Sequence, residues 1–132
     1  MRRIRTISTF LLTAAFGLCA PKDPGWPREF SDGSASLVVY QPQVDSWKEF
    51  KFLNGRCAFR LRAGQGSEPV YGTFRFEGQT LVDPDNKVVL VRQIRANEMR
   101  FPYANGDTAQ WKERVRRLMP QDAIVVSLDR LT

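Results

Sequence analysis

A strict alternation of apolar and polar side chains between Leu53 and Arg62 constrains the fold more than any other feature of this chain. The apolar or small side consists of Leu53, Gly55, Cys57, Phe59 and Leu61. The polar side, which is mostly basic, consists of Asn54, Arg56, Ala58, Arg60 and Arg62. A period of two residues is typical of a β-strand with one face on a core. The alternation also predicts that Cys57 is a buried, unreactive side chain.

Other segments predict strands that pair with this one. They are rich in β-branched and aromatic residues and cover residues 28–30, 36–41, 70–77, 87–94 and 123–128. Pro42 has no backbone N–H, so it must lie at a strand end, an edge or a turn. Val44 and Trp47 follow it as apolar anchors that return the chain to the core.

Two turns and one irregularity are predicted between these strands. Asp and Gly residues at 31–34 and the segment Asp83–Asn86 are typical of turns. Phe50 and Phe52 are out of phase with the alternation that follows them, which predicts a bulge or turn near Asn54-Gly55.

One helix is predicted late in the chain. Trp111, Val115 and Leu118 form an apolar stripe at positions i, i+4 and i+7. Asp107 is a candidate cap for its start, and Pro120 disfavours helical geometry at the residue before it. The predicted fold class is therefore α+β: a mostly antiparallel β-sheet of about five or six strands with one helix of the C-terminal half packed on it.

The first 19 residues have the composition of a secretory signal peptide. A basic start with Arg2, Arg3 and Arg5 precedes an apolar run, Ile7–Leu18, which is too short to cross a bilayer comfortably. We expect residues 1–19 to be removed, 20–25 to be an extended lead-in and 26–132 to be a single β-rich domain, exported to the periplasm or secreted. No transmembrane segment is expected after removal. A lipid anchor on Cys19 is the alternative.

The basic charge of the chain is partly a property of this leader. The full chain has 20 basic and 14 acidic residues, a net charge of +6. Three of the basic residues lie in the leader, which leaves 17 basic against 14 acidic residues and a net charge of +3. Specific binding of nucleic acid is therefore not expected.

The sequence contains no histidine, which excludes the usual activation of serine or cysteine nucleophiles and most zinc sites. Phosphate-binding loops and the dinucleotide fingerprint are also missing, so we expect no cofactor, no metal site and no catalytic residue. A hydrolase or lyase built on carboxylates is the alternative. Against it, Asp32, Asp45, Asp83 and Asp85 all fall in predicted turns, where aspartate usually forms local hydrogen bonds.

The polar face of the central strands is the candidate binding surface. Its residues are Arg56, Arg60, Arg62, Tyr71 and Arg75. Arginines beside an aromatic side chain on a sheet can bind phosphate, anionic glycan or nucleic acid. The alternative is a solvated face, or one covered by the helix with its arginines paired to Glu77 and other acids. The expected partner is an unknown protein or an anionic polymer of the cell envelope.

Several short blocks follow one another in an order that resembles a known family. They are Trp26-Pro27-Arg28, the block from Val39 to Trp47, Tyr71-Gly72, Val82-Asp83, Phe101-Pro102 and Leu128-Asp129-Arg130-Leu131. The chain is similar to the N-terminal domain of a family of exported bacterial proteins of unknown function, and its Tyr-Gln-Pro-Gln-Val-x-Ser-Trp block is the most specific part. This resemblance implies export and a small buried side chain at Cys57. It implies no activity, so we expect a non-enzymatic binding or interaction module.

Overall fold

One antiparallel sheet of seven strands organises the protein, and the computed structural model describes residues 22–103 and 108–131. The strands are β1 Arg28–Asp32, β2 Ala35–Val39, β3 Gln43–Lys48, β4 Phe52–Arg62, β5 Val70–Asp83, β6 Val88–Arg100 and β7 Ile124–Ser127. The helix α1 spans Ala109–Leu118, and a 3₁₀ turn spans Leu128–Arg130. The architecture is α+β, as predicted, with one strand more than the upper expected number.

The sheet order is β1-β2-β4-β5-β6-β7, and every pair is antiparallel. β3 pairs with β4 on the same edge as β2, because β4 is long enough for two partners. Residues 59–62 of β4 pair with β2, and residues 52–56 pair with β3. β5 then covers the opposite edge of β4 along nearly its full length.

β3 is the strand that the sequence did not predict, because its apolar residues do not alternate. Val44 pairs with Gly55 and Ser46 with Asn54, so Asp45 is an extra residue, a β-bulge. An irregularity was expected in β4 near Asn54-Gly55. The structure corrects this, since it puts the bulge on the facing strand and leaves β4 regular.

β6 is longer than predicted and carries two more bulges. Its register against β5 shifts between Arg92 and Arg95 and again between Asn97 and Arg100. Gln93 and Glu98 have positive φ angles of 53° and 49°, which mark the inserted residues. Because bulges bend a strand and increase its twist, they curl the sheet and give it a concave and a convex face.

The hydrophobic core lies on the concave face. Its fully buried side chains are Phe59, Phe74, Leu37, Leu61, Val89 and Val115. The Phe59 and Phe74 rings stack with centroids 5.6 Å apart. α1 contributes Val115 and Leu118 to this core, so the helix packs on the concave side and leaves the convex face uncovered.

The ends of α1 follow only partly from the sequence. The helix ends at Leu118, and Met119 is extended with φ −61° and ψ 145°, as expected for a residue before proline. The predicted cap Asp107 lies outside the described residues, as do the predicted leader and Cys19. Thr108, which precedes the helix, makes no side-chain capping hydrogen bond. No helix in the described ranges is long and apolar enough to cross a membrane.

A buried ion pair links the lead-in to both outer strands of the sheet. Arg28 of β1 donates to the Asp23 carboxylate at 2.5 Å and to the Val125 carbonyl of β7 at 2.6 Å. Asp23 also accepts a hydrogen bond of 2.7 Å from the Ser127 N–H. The Arg28 guanidinium lies 4.1 Å from the centroid of the Trp26 ring. These contacts hold the curled sheet together between β1 and β7.

Candidate functional site

The polar face of the sheet is open to solvent. The side chains of Arg56 and Arg75 are 53% and 56% exposed, because α1 packs on the opposite side. The arginines are nevertheless paired to acids, as one of the sequence alternatives proposed, although the acids are Asp45 and Glu98 and not Glu77.

The structure brings the predicted site residues together as two cross-strand pairs. Arg56 lies opposite Arg75, and Arg60 lies opposite Tyr71. Side chains directly opposite each other in an antiparallel pair are about 5 Å apart at Cβ, so each pair forms one local surface. Arg62 does not join them. It donates a 2.6 Å hydrogen bond to the Ser67 carbonyl and stabilises the loop between β4 and β5.

A groove of about 510 Å³ lies beside the Arg56–Arg75 pair, and Arg60 and Tyr71 do not line it. Ala58 and Thr73, which are opposite each other in the register, provide short side chains for its floor. Larger polar side chains surround the floor: Gln41, Gln43, Arg56, Arg75, Glu98 and Arg100. Arg100 of β6 is directly opposite Thr73. The strand pairing thus places guanidinium and amide groups around a floor of two short side chains.

Asp45 does not itself line the groove, but it lies between two arginines that do. Its Oδ1 is 3.1 Å from Arg56 Nη2, and its Oδ2 is 3.5 Å from Arg75 Nη1. Glu98 Oε2 is 2.8 Å from Arg75 Nε. Among the described residues, Arg60 and Arg100 have no ion-pair partner; Arg100 is exposed and Arg60 is partly buried.

Two of the three bulges in the described strands position the acids that pair with the arginines of the groove. Asp45 is the extra residue of β3, and Glu98 is an extra residue of β6 with φ 49°. A bulge changes the direction in which a side chain points, and bulges are frequent next to functional sites. Both acids therefore reach the Arg75 guanidinium from opposite edges of the two central strands.

The sequence did not predict Arg100, Glu98 or the two glutamines of the groove as site residues. Asp45 was assigned to a turn and proves to be in a strand. The partner of Thr73 can be estimated by counting residue pairs outward from the Asp83–Asn86 turn. In a regular ladder this count puts Glu98, and not Arg100, opposite Thr73. Each of the two β6 bulges adds one residue, so the partner of Thr73 becomes Arg100. No sequence pattern predicts these bulges.

The arrangement gives no support to acid–base catalysis. Asp45 and Glu98 contact different nitrogens of Arg75 and do not share a point. Hydrogen bonds from Asn86 lower the pKa of the exposed Asp83, whereas a general acid needs a raised pKa. Within residues 22–103 and 108–131, no three metal-ligating side chains cluster in a way that could hold an ion.

Cys57 lies on the core side, as predicted, and is 6% exposed. Burial raises the pKa of its thiol to about 12, which keeps the group protonated and unreactive.

Comparisons with known proteins add no family to this description. No family model matches the chain, and no curated protein or solved structure matches it either. The resemblance to a family of exported bacterial proteins therefore stays a prediction. The fold and the groove are the basis for an assignment.

Proposed function

We propose that this protein is an exported, non-enzymatic binding module of the bacterial cell envelope, and that its polar groove holds an anionic polymer. The observation that carries this proposal is the open groove floored by Ala58 and Thr73 and bordered by Arg56, Arg75 and Arg100. Arg60 and Tyr71 extend the same face by one cross-strand pair.

Arginine is the side chain best suited to this task. Its planar guanidinium presents parallel donors that match the two oxygens of a carboxylate or phosphate. The short floor lets an extended chain approach the sheet without a clash, and the glutamines offer donors and acceptors to neutral parts of a ligand. Tyr71, which is half exposed, offers an aromatic face next to Arg60.

A polymer suits the groove better than a single small anion. Exposed ion pairs contribute only about 0–1 kcal/mol each, so useful affinity requires several at once. Successive outward residues of one strand are about 6.6 Å apart, so Arg56 and Arg60 are separated by about 13 Å along β4. A chain with repeated negative groups can contact both, whereas a small anion contacts one.

Retention on an immobilised polyanion tests the proposal. We expect the purified protein to bind a heparin column and to elute at lower salt when Arg60 and Arg100 are both replaced by alanine. The matched control replaces Arg116 and Arg117, two exposed arginines of α1, and removes the same charge. The control should elute near the wild-type position. An equal loss in both double variants would show that net charge alone causes the binding and would overturn the proposal.

The exported location rests on the leader alone and has its own test. Fractionation of a bacterium that expresses the full chain should recover the protein outside the cytoplasm, with an N-terminus within or directly after residues 15–20. A full-length protein retained in the cytoplasm would contradict the export part of the proposal and would leave the groove unaffected.

A further inference from the structure

We infer that the Asp45 carboxylate occupies the position of the ligand's anionic group, and that the polymer binds the groove by displacing Asp45 from Arg56 and Arg75. The ligand group is then a carboxylate or a phosphodiester, which share two terminal oxygens and a delocalised negative charge. This inference rests on the proposed function and adds the chemical class of the ligand and its mode of binding.

The geometry of the Asp45 contacts defines the ligand group. Each carboxylate oxygen contacts a different arginine, at 3.1 Å on Arg56 and at 3.5 Å on Arg75. The two arginines are directly opposite in the register, and both guanidinium groups contact the same carboxylate. Any group with two oxygens at the carboxylate spacing can bridge them in the same way.

Glu98 has a different task from Asp45. It contacts Arg75 through Nε at 2.8 Å, on the other side of the guanidinium from the Nη1 atom that Asp45 contacts. This pairing orients Arg75 and leaves its Nη1 for the contact with Asp45. The ligand group therefore replaces Asp45, while Glu98 stays in place and keeps the arginine in position.

Little free energy is needed to displace Asp45 from the two arginines. Its side chain is 31% exposed and its partners are more than half exposed, so both ion pairs are weak. Asp45 is also the extra residue of a bulge, which is left out of the regular ladder. Its side chain can turn to solvent without a change in the pairing of β3 with β4.

The same contacts discriminate against small anions. Asp45 is tethered beside the arginines, and a tethered group competes at an effective concentration of the order of millimolar or more. A single anion must exceed that concentration to replace it. A polymer that is already bound at Arg60 or Arg100 presents its next anionic group under the same intramolecular advantage, so it replaces Asp45 readily.

The experiment removes the internal competitor. We expect Asp45→Asn to bind polyanions about 5- to 10-fold more tightly than the wild type, because two exposed ion pairs no longer oppose the ligand. The matched control is Asp32→Asn, which removes the same charge from an exposed position at the end of β1. It should stay within about twofold of the wild type.

Two polymers identify the ligand group. Isothermal titration with polygalacturonate supplies carboxylates, and titration with poly(glycerol phosphate) supplies phosphodiesters, with neutral dextran as the blank. Tighter binding of Asp45→Asn to either polymer supports the inference, and the polymer with the larger gain identifies the preferred group. Wild-type binding that Asp45→Asn does not tighten overturns the inference and leaves the proposed function standing. If the wild type binds neither these polymers nor heparin, the proposed function fails as well.

A third pair of variants separates displacement from simple charge repulsion. The double variant Arg56→Ala/Arg75→Ala is compared with the triple variant that carries Asp45→Asn in addition. If Asp45 acts by occupying these arginines, the gain in affinity disappears in that background. A gain that persists there shows that Asp45 merely repels the polymer and overturns the inference.

Discussion

The indole N–H of Trp47 donates a hydrogen bond of 2.9 Å to the hydroxyl of Thr80. The same hydroxyl donates one of 2.7 Å to the Phe50 carbonyl, and the Thr80 N–H donates one of 2.8 Å to the Lys51 carbonyl. Thr80 thus connects β5 to the hairpin between β3 and β4. At the tip of this hairpin Glu49 and Phe50 have positive φ angles of 54° and 55°, which are unfavourable for residues with a Cβ atom. The hydrogen bonds compensate for this conformation.

We expect Thr80→Val to reduce the free energy of unfolding by about 1–3 kcal/mol. Thr80 is buried, so valine fills its space but leaves the Trp47 N–H and the Phe50 carbonyl without this partner. Urea denaturation followed by tryptophan fluorescence measures the effect. Thr73→Val, at an exposed position of the same strand, is the control and should change stability by less than about 0.5 kcal/mol. Equal effects at both positions would contradict the role of Thr80.

The regular parts of the sheet could be predicted because local chemistry determines them. The alternation in β4 and the first half of β5 indicates their two faces directly, and the predicted faces are the observed ones. β5 runs on to Asp83, beyond the predicted end at Glu77. The Asp83–Asn86 turn is stabilised by the Asp83 side chain, which accepts hydrogen bonds from Asn86, as an aspartate turn predicts. Pro42 lies between β2 and β3, where its missing N–H causes no loss.

Gly72 shows a requirement of the fold that sequence patterns do not reveal. A Cβ atom at this position would lie 2.5 Å from the Arg100 carbonyl oxygen and 2.6 Å from the Phe59 ring. We expect Gly72→Ala to destabilise the protein by about 1–3 kcal/mol, because both neighbours must move. Thermal unfolding measures this loss. Gly64→Ala is the control, since its nearest atoms would be 3.6 Å and 3.7 Å away. A Gly72→Ala protein as stable as Gly64→Ala would show that β6 can retreat at no cost.

The groove could not be predicted in full because it depends on register. The sequence identified Arg56, Arg60, Tyr71 and Arg75 from alternation alone, and all four lie on the open face. The sequence also predicted Arg62, which follows the same alternation. The Arg62 guanidinium, however, donates a hydrogen bond to the Ser67 carbonyl of the loop. Bulges at Asp45 and Glu98 are tertiary features, since they depend on how two strands match when the sheet curls. The alternation of apolar and polar residues in a single sequence does not reveal where such bulges lie.

The Cys57 thiol should resist alkylation in the folded protein. With its pKa raised to about 12 by burial, only about one thiol in ten thousand is ionised at pH 8. We expect iodoacetamide at pH 8 to leave Cys57 unmodified under native conditions and to modify it rapidly in concentrated urea. Peptide mass mapping reports Cys57 separately from Cys19. Comparable rates in both conditions would contradict its burial.

The Asp23–Arg28 ion pair should make stability depend on pH in the acid range. Burial raises the pKa of Asp23, but hydrogen bonds from Ser127, Gly25 and Arg28, together with the charge of Arg28, outweigh it and leave the pKa below its ordinary value. An aspartate in the unfolded chain has a pKa of about 3.9. The stabilisation from the ionised form is therefore complete above about pH 4 and is lost as the pH falls through the lower, folded value.

We expect Asp23→Asn to be about 3 kcal/mol less stable than the wild type at pH 7, because Arg28 is only 8% exposed and loses its charged partner. This difference should shrink as the pH falls below about 4, since the wild type then loses the same interaction by protonation. Urea denaturation at pH 7 and at pH 3 measures both differences, with exposed Asp32→Asn as the control. Carbon-detected NMR titration of the Asp23 carboxyl in the wild type gives its pKa without a variant. A carboxyl that titrates at or above its ordinary value would mean that the link between the lead-in, β1 and β7 does not stabilise the charged form.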